Sequence, residues 1–154
     1  MSHEVHIYTD GAAKGNPGPA GYGVVMEMVG TPYKKEFYEG FRLSTNNRME
    51  LLAVIVGLEK LKNPKTKVLV VSDSKYVVDS VEKRWVFQWE KINFKAKKNP
   101  DLWMRFLKIY RQHQMQPIFR FACISRVLKR VLLKANLQKL QGEKPLTLRI
   151  QKVG

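Results

Sequence analysis

The chain has 154 residues with 44% hydrophobic and 10% aromatic content, which suits one folded domain and argues against a disordered chain. No stretch approaches the roughly 18 apolar residues of a membrane helix, and the first residues lack the pattern of a secretion signal. The single cysteine, Cys123, excludes an internal disulfide. We therefore expect a cytoplasmic monomer without membrane or disulfide partners. The net charge of +15 favours nucleic acid as the partner, although it equally suits a ribosome-associated or merely soluble basic protein.

The first part of the chain reads as three β-strands. A β-rich run at residues 5–9 stops at Asp10, and similar runs follow at residues 22–28 and 33–41. Short segments rich in turn-forming residues connect them. Strands joined in this way predict an antiparallel meander.

From Asn46 the apolar spacing changes to that of a helix. Apolar residues at positions 51, 54, 55 and 58 predict an amphipathic helix that ends at Asn63 and Pro64. The apolar run at residues 68–71 predicts a buried parallel strand. Further helices are expected after a capping Ser74 and after a capping Asn99. The predicted fold is a mixed α/β sheet flanked by helices.

Three carboxylates fall where these elements meet. Asp10 ends the first strand, Asp73 ends the fourth, and Glu50 lies in the first turn of the intervening helix. If the two strands are neighbours, the carboxylates approach each other and repel unless cations neutralise them. Oxygen ligands select Mg²⁺ or Mn²⁺, and such a site can polarise a phosphodiester and activate water. Spacing alone favours an ordinary role for each residue, in a turn or a helix cap.

Four segments resemble the motifs of type 1 ribonuclease H and follow in the family's order. They are residues 8–18 (YTDGAAKGNPG), 45–51 (TNNRMEL), 72–77 (SDSKYV) and 99–103 (NPDLW). The resemblance covers residues 5–114, about three-quarters of the chain. It implies a ribonuclease H-like sheet of three antiparallel strands followed by parallel strands. It also implies metal-dependent hydrolysis of the RNA strand of RNA–DNA hybrids.

The resemblance further assigns roles to single residues near the carboxylates. It implies that Asp10, Glu50 and Asp73 are catalytic metal ligands for Mg²⁺, which Mn²⁺ would replace. Gly11 is expected in the same metal site, where it would let the substrate approach the backbone closely.

Nucleic-acid contacts are expected from the flanking polar residues. The resemblance implies that Asn16, Thr45 and Asn47 contact the backbone or the minor groove, and we place Lys75 on the same surface. The side-chain amides of the two asparagines and the hydroxyl of the threonine can bond to a phosphate or a ribose 2′-hydroxyl. Asn16 as a turn residue and either Thr45 or Asn46 as a helix cap are compatible alternatives.

The segment of residues 83–98 resembles the family's basic protrusion, which holds the DNA strand of the hybrid. Trp85 and Trp89 lie four residues apart on one helix face and suit either stacking on nucleic acid or burial in the core. The basic residues expected to bind phosphates include Lys95, Lys97 and Lys98.

The last quarter of the chain departs from the family. Residues 115–154 carry nine basic residues and one acid, Glu143, whereas residues 1–114 carry 19 and 12. They contain no aspartate and no histidine, so the family's catalytic histidine and fourth acidic ligand are not recognisable. We expect a ribonuclease H-like core at residues 1–114 and a divergent basic segment after it, with a possible strand at residues 118–124 and a basic helix at 127–135. An altered reading frame, natural divergence or a substitute ligand would each explain this ending.

The sequence therefore predicts a ribonuclease H whose catalysis is impaired by the missing fourth acid. One alternative is a weak or inactive module that binds hybrids without turning them over. A second is a related nuclease with another substrate, against which the basic protrusion and the pair Asn16 and Asn47 argue.

Overall fold

The structure is a computed structural model that describes residues 4–114 and 116–122. Within these ranges the chain forms five strands and four helices. In chain order they are β1 (Glu4–Ala13), β2 (Gly18–Met28), β3 (Lys34–Ser44), α1 (Asn46–Glu59), β4 (Lys67–Ser72), α2 (Lys75–Glu82), α3 (Trp85–Lys91), α4 (Pro100–Tyr110) and β5 (Ile118–Phe121).

The strands form one mixed sheet in the order β3-β2-β1-β4-β5. Strands β1, β2 and β3 pair antiparallel, whereas β4 lies parallel to both β1 and β5. The predicted arrangement of three antiparallel strands followed by parallel ones is confirmed. The central β1 therefore has an antiparallel neighbour on one side and a parallel neighbour on the other.

Strand β1 is longer than the sequence predicted. It does not stop at Asp10 but continues to Ala13, because β2 goes on pairing with it as far as the partners Ala13 and Ala20. Only the parallel pairing with β4 ends near the predicted point, at the partners Thr9 and Ser72. Asp10 thus lies one residue beyond the last parallel pair, as Asp73 does on the other strand.

Helix α1 forms the centre of the core. The side chain of Thr45 accepts a hydrogen bond from the Arg48 amide, at 3.2 Å, and caps the helix as one alternative had predicted. Nine of its fourteen residues are buried, since it packs against β1, β2 and α4. The predicted helix is confirmed, but it is not amphipathic, because every residue from Met49 to Ile55 is buried, and it ends at Glu59, ahead of the expected stop at Asn63.

Strand β5 closes the described part of the sheet. It spans Ile118–Phe121, within the predicted residues 118–124, and buries Phe119 against Phe106 with ring centroids 5.9 Å apart. The predicted helix at 127–135 lies outside the described residues, and the division of the chain after residue 114 remains a prediction. None of the described helices is both long and apolar enough to cross a membrane.

Candidate active site

The structure brings Asp10, Glu50 and Asp73 together. One carboxylate oxygen from each residue lies within 4.8 Å of the others. Asp10 and Glu50 are 4% and 9% exposed, whereas Asp73 is partly exposed. The parallel pairing of β1 and β4 places the two aspartates side by side, and α1 supplies the glutamate from above the sheet.

The sequence predicted Glu50 in the first turn of its helix, but the structure places it after that turn. Helix α1 begins at Asn46, directly after its cap Thr45, so Glu50 is its fifth residue. The first turn carries no acid. Glu50 is therefore held by a formed helix and not by a fraying helix end.

Gly11 explains how α1 comes so close to β1. A Cβ atom on Gly11 would lie 2.4 Å from the backbone carbon of Met49 and 2.5 Å from the backbone nitrogen of Glu50. Real Cβ atoms do not approach backbone atoms so closely. In this structure the close approach that Gly11 permits is that of α1, a role that the sequence did not suggest, and its expected role toward the substrate stays a prediction.

The cluster favours a proton or a cation on its buried glutamate. Burial, and then the charges of Asp10 and Asp73, raise the pKa of Glu50 to about 9 from its ordinary value of 4.5. Its Oε2 atom is buried and accepts no hydrogen bond from any described residue. Three converging carboxylates with such an atom form an all-oxygen donor set, which fits a hard divalent cation.

The loop before β2 is fastened to the start of α1. The Oδ1 atom of Asn16 accepts a hydrogen bond from the Asn46 amide, at 3.2 Å, and the Asn46 side chain accepts one from the Ala13 amide. Asn16 and Asn47 are exposed, whereas Thr45 is half-buried. The three predicted nucleic-acid contacts thus lie around Asn46, beside the helix that carries Glu50.

The two tryptophans of α3 have different surroundings, although they share a helix face in the sequence pattern. Trp89 is partly buried and packs edge-on against Trp103, with ring centroids 6.0 Å apart. Trp85 is 42% exposed, and the Lys83 Nζ atom lies 5.2 Å from its ring centroid. Of the two alternatives, packing in the core therefore applies to Trp89, whereas the ring of Trp85 is accessible at the surface for stacking.

The basic residues assigned to nucleic acid are all exposed. In the segment after α3, the Lys97 Nζ atom lies 5.5 Å from the Trp89 ring centroid, and Lys95 and Lys98 are its neighbours. Lys75 is two residues from Asp73 at the start of α2, and its Nζ atom lies 5.8 Å from the ring of Phe121.

Sequence reasoning missed a polar network behind the site. The side chain of Asn99 makes no capping bond to α4. Instead it accepts a hydrogen bond from Arg48 and donates one to the Tyr76 hydroxyl. Arg48 also forms an ion pair with Asp101, an acid in the first turn of α4. These residues belong to three of the four motif segments, and their presence in those segments was the one sign in the sequence of contacts between them.

Comparison with known sequences agrees with this arrangement. The sequence model of the RNase H family matches residues 2–119. Ribonuclease H of Desulforamulus reducens is 51% identical over 118 residues, which are 73% of this chain and 72% of that protein. Ribonuclease HI of Shewanella oneidensis is 47% identical over 116 residues, which are 72% of this chain and 71% of that protein.

Solved structures are also similar to this chain. The N-terminal RNase H domain of a Mycobacterium tuberculosis protein has a TM-score of 0.73 at 28% identity, covering 91% of this chain and 98% of that one. A ribonuclease H1 solved in complex with an RNA/DNA hybrid has a TM-score of 0.68 at 27% identity, covering 88% and 99%. With a family model that matches well over half of its residues, the chain belongs to the type 1 ribonuclease H family.

Proposed function

We propose that this chain hydrolyses the RNA strand of RNA–DNA hybrids at Asp10, Glu50 and Asp73, using water activated by divalent cations. The observation that carries the proposal is the convergence of these three carboxylates within 4.8 Å in a ribonuclease H fold. The similarity to a ribonuclease H1 solved with an RNA/DNA hybrid supports the choice of substrate.

In this proposal the three carboxylates hold Mg²⁺, which Mn²⁺ can replace, and the backbone of Gly11 belongs to the same site. The bound cation supplies charge that polarises the phosphodiester and makes water a better nucleophile. The chain supplies the geometry. Asp10 and Asp73 each lie one residue beyond the last parallel pair of β1 and β4, and Glu50 would give up its proton to accept a bound cation.

Substrate binding is assigned to the two sides of the carboxylate cluster. Asn16, Thr45 and Asn47 would contact the RNA strand, since amides and hydroxyls can bond to a 2′-hydroxyl. Lys75, two residues after Asp73, would contact the backbone of the hybrid on the same surface. The basic segment would hold the DNA strand through phosphate and stacking contacts, using the exposed Lys95, Lys97, Lys98 and Trp85 and the partly buried Trp89.

A second candidate is a hybrid-binding module with weak turnover. It is favoured by residues 115–154, which contain no aspartate, no histidine and one glutamate. Losing one carboxylate weakens a second cation most, because fewer negative charges offset the repulsion between two cations. Exchanging this segment for one that carries the family's histidine and fourth acid would then raise the cleavage rate. High Mn²⁺ would partly restore the cleavage rate of the unmodified chain.

The test is cleavage of an end-labelled RNA–DNA hybrid by the full chain, with Mg²⁺, Mn²⁺ or EDTA. Single-stranded RNA, double-stranded RNA and double-stranded DNA are the control substrates. We expect the RNA strand of the hybrid to be cut only with a divalent cation, leaving 3′-hydroxyl and 5′-phosphate ends. Tight hybrid binding without cleavage would favour the second candidate, and equal cutting of all substrates would contradict both.

A further inference from the structure

A bidentate ion pair joins the helix of Glu50 to the end of the basic segment. Arg48, two residues before Glu50, donates from Nη1 and Nη2 to the two carboxylate oxygens of Asp101, at 3.1 and 2.7 Å. Its Nη1 atom also donates to the Oδ1 atom of Asn99, at 3.1 Å. The Arg48 side chain is only 15% exposed. Water therefore screens this pair less than an ordinary surface pair.

The same junction reaches the strand end that carries Asp73. The hydroxyl of Tyr76, three residues after Asp73, accepts hydrogen bonds from Trp103 Nε1, at 2.7 Å, and from Asn99 Nδ2, at 3.2 Å. Trp103 is fully buried. Asn99 thus bridges the segments next to two of the three clustered carboxylates.

The segment that ends at this junction has an unusual backbone. Between α2 and α4, five residues that are not glycine adopt positive φ angles of 53° to 65°. They are Arg84, Asn93, Phe94, Ala96 and Asn99. Such conformations cost free energy and persist where surrounding contacts determine them. Phe94 is buried in the core, and Asn99 is held by its two side-chain hydrogen bonds.

We propose that Arg48, Tyr76, Asn99 and Asp101 form a positioning junction, which fixes the basic segment of residues 83–98 in register with the carboxylate cluster. The inference rests on the proposed function, because it assumes that this segment binds the hybrid. A duplex gripped by the segment is then presented to Asp10, Glu50 and Asp73 at a fixed distance. The junction residues need not touch the substrate, since they act through the segment that they hold.

A second ion pair between the same two helices supplies a matched control. Arg105 of α4 donates to both carboxylate oxygens of Glu59 of α1, at 2.8 and 2.6 Å. This pair lies at the far end of α1, away from the basic segment. Glu59→Gln and Asp101→Asn therefore remove the same kind of contact, but only the second one loosens the proposed junction.

The test is a double-mutant cycle with the full chain. Replacing Lys95, Lys97 and Lys98 together by Ala is combined with either Asp101→Asn or Glu59→Gln, and the hybrid Kd, KM and kcat are measured. We expect the triple replacement to weaken hybrid binding about tenfold in the parent and in Glu59→Gln, but only about twofold in Asp101→Asn. Asp101→Asn alone should raise KM more than it lowers kcat.

Tyr76→Phe gives a second route if Asp101→Asn does not fold, since it removes one acceptor and keeps the ring. It should reproduce the reduced effect of the triple replacement. Equal effects in all backgrounds would overturn the junction and leave the proposed function standing. No effect of the triple replacement in the parent would show that the basic segment does not bind the hybrid, and the inference would fail with that part of the proposal.

Discussion

Gly11 and Glu50 face each other so closely that no side chain fits between them. A Cβ atom on Gly11 would lie 2.5 Å from the backbone nitrogen of Glu50. Strand β1 and helix α1 can therefore approach until the Glu50 carboxylate reaches that of Asp10. The glycine next to Asp10 sets the spacing of the site that the aspartate helps to build.

Gly11→Ala should accordingly damage the cation site as well as the fold. The added methyl group forces α1 away from β1, which should cost about 1–3 kcal/mol of unfolding free energy. Displacing Glu50 should also weaken Mg²⁺ binding about tenfold or more, as when groups that orient metal ligands are lost. Calorimetric Mg²⁺ titration and thermal unfolding measure the two effects.

Gly57→Ala is the control, because it also inserts a methyl group between α1 and β1. Its Cβ atom would lie 2.8 Å from the Cγ2 atom of Ile7 in β1. Gly57 is seven residues after Glu50 in α1, so this contact is far from the carboxylate cluster. It should lower stability without a comparable loss of Mg²⁺ affinity. If both variants bind Mg²⁺ equally well, the spacing role of Gly11 is wrong.

The raised pKa of Glu50 predicts how stability depends on pH without metal. Folding raises this pKa from 4.5 to about 9, mainly by burial and then by Asp10 and Asp73. Between these values the folded state binds the proton and the unfolded state does not, so the contribution to stability falls as pH rises. Glu50→Gln mimics the protonated form. Its stability relative to the parent should grow from near zero at pH 4.5 toward pH 9, by at most about 1.4 kcal/mol per pH unit.

Thermal unfolding in EDTA across this pH range makes the comparison. Mg²⁺ should stabilise the parent increasingly as pH rises, because the cation replaces the proton, and should stabilise Glu50→Gln much less. A constant difference between the two proteins at all pH values would show that Glu50 titrates normally.

The two tryptophans of α3 should separate stability from binding. Trp89→Ala should cost about 3 kcal/mol or more, because it leaves a cavity against Trp103. Trp85→Ala removes an exposed ring and should change stability by less than about 1 kcal/mol. If Trp85 stacks on the substrate, its loss should weaken hybrid binding by about 1–3 kcal/mol. Denaturant unfolding and hybrid titration distinguish the two, and similar stability losses in both would contradict the assignment.

The residues alone predicted the helices and strands, whereas the strand order and the meeting of the carboxylates rested on the resemblance to ribonuclease H. Apolar periodicity predicted α1 and the buried strand β4, and spacing placed Asp10 beside Asp73 only on the condition that β1 and β4 are neighbours, as they are. The sequence analysis ended β1 too early, at Asp10, because Asp10 and Gly11 are residue types that favour turns. Continued pairing with β2 overrides that local preference.

Contacts between distant segments were harder to predict. Spacing placed Trp85 and Trp89 on one face, but only the position of α4 decides that Trp89 meets Trp103. Asn99 has the residue type of a helix cap, yet its side chain bonds to Arg48 and Tyr76. Local sequence does not reveal which distant partners compete for such a side chain.

The most direct test of the proposed function compares the parent with Asp10→Asn on one labelled RNA–DNA hybrid in Mg²⁺. The amide keeps the shape of the side chain but removes a charge that holds the cation and repels phosphate. We expect the cleavage rate to fall by about three orders of magnitude while hybrid binding is unchanged or tighter. An Asp10→Asn variant that cuts the hybrid as fast as the parent would contradict the assignment of the active site.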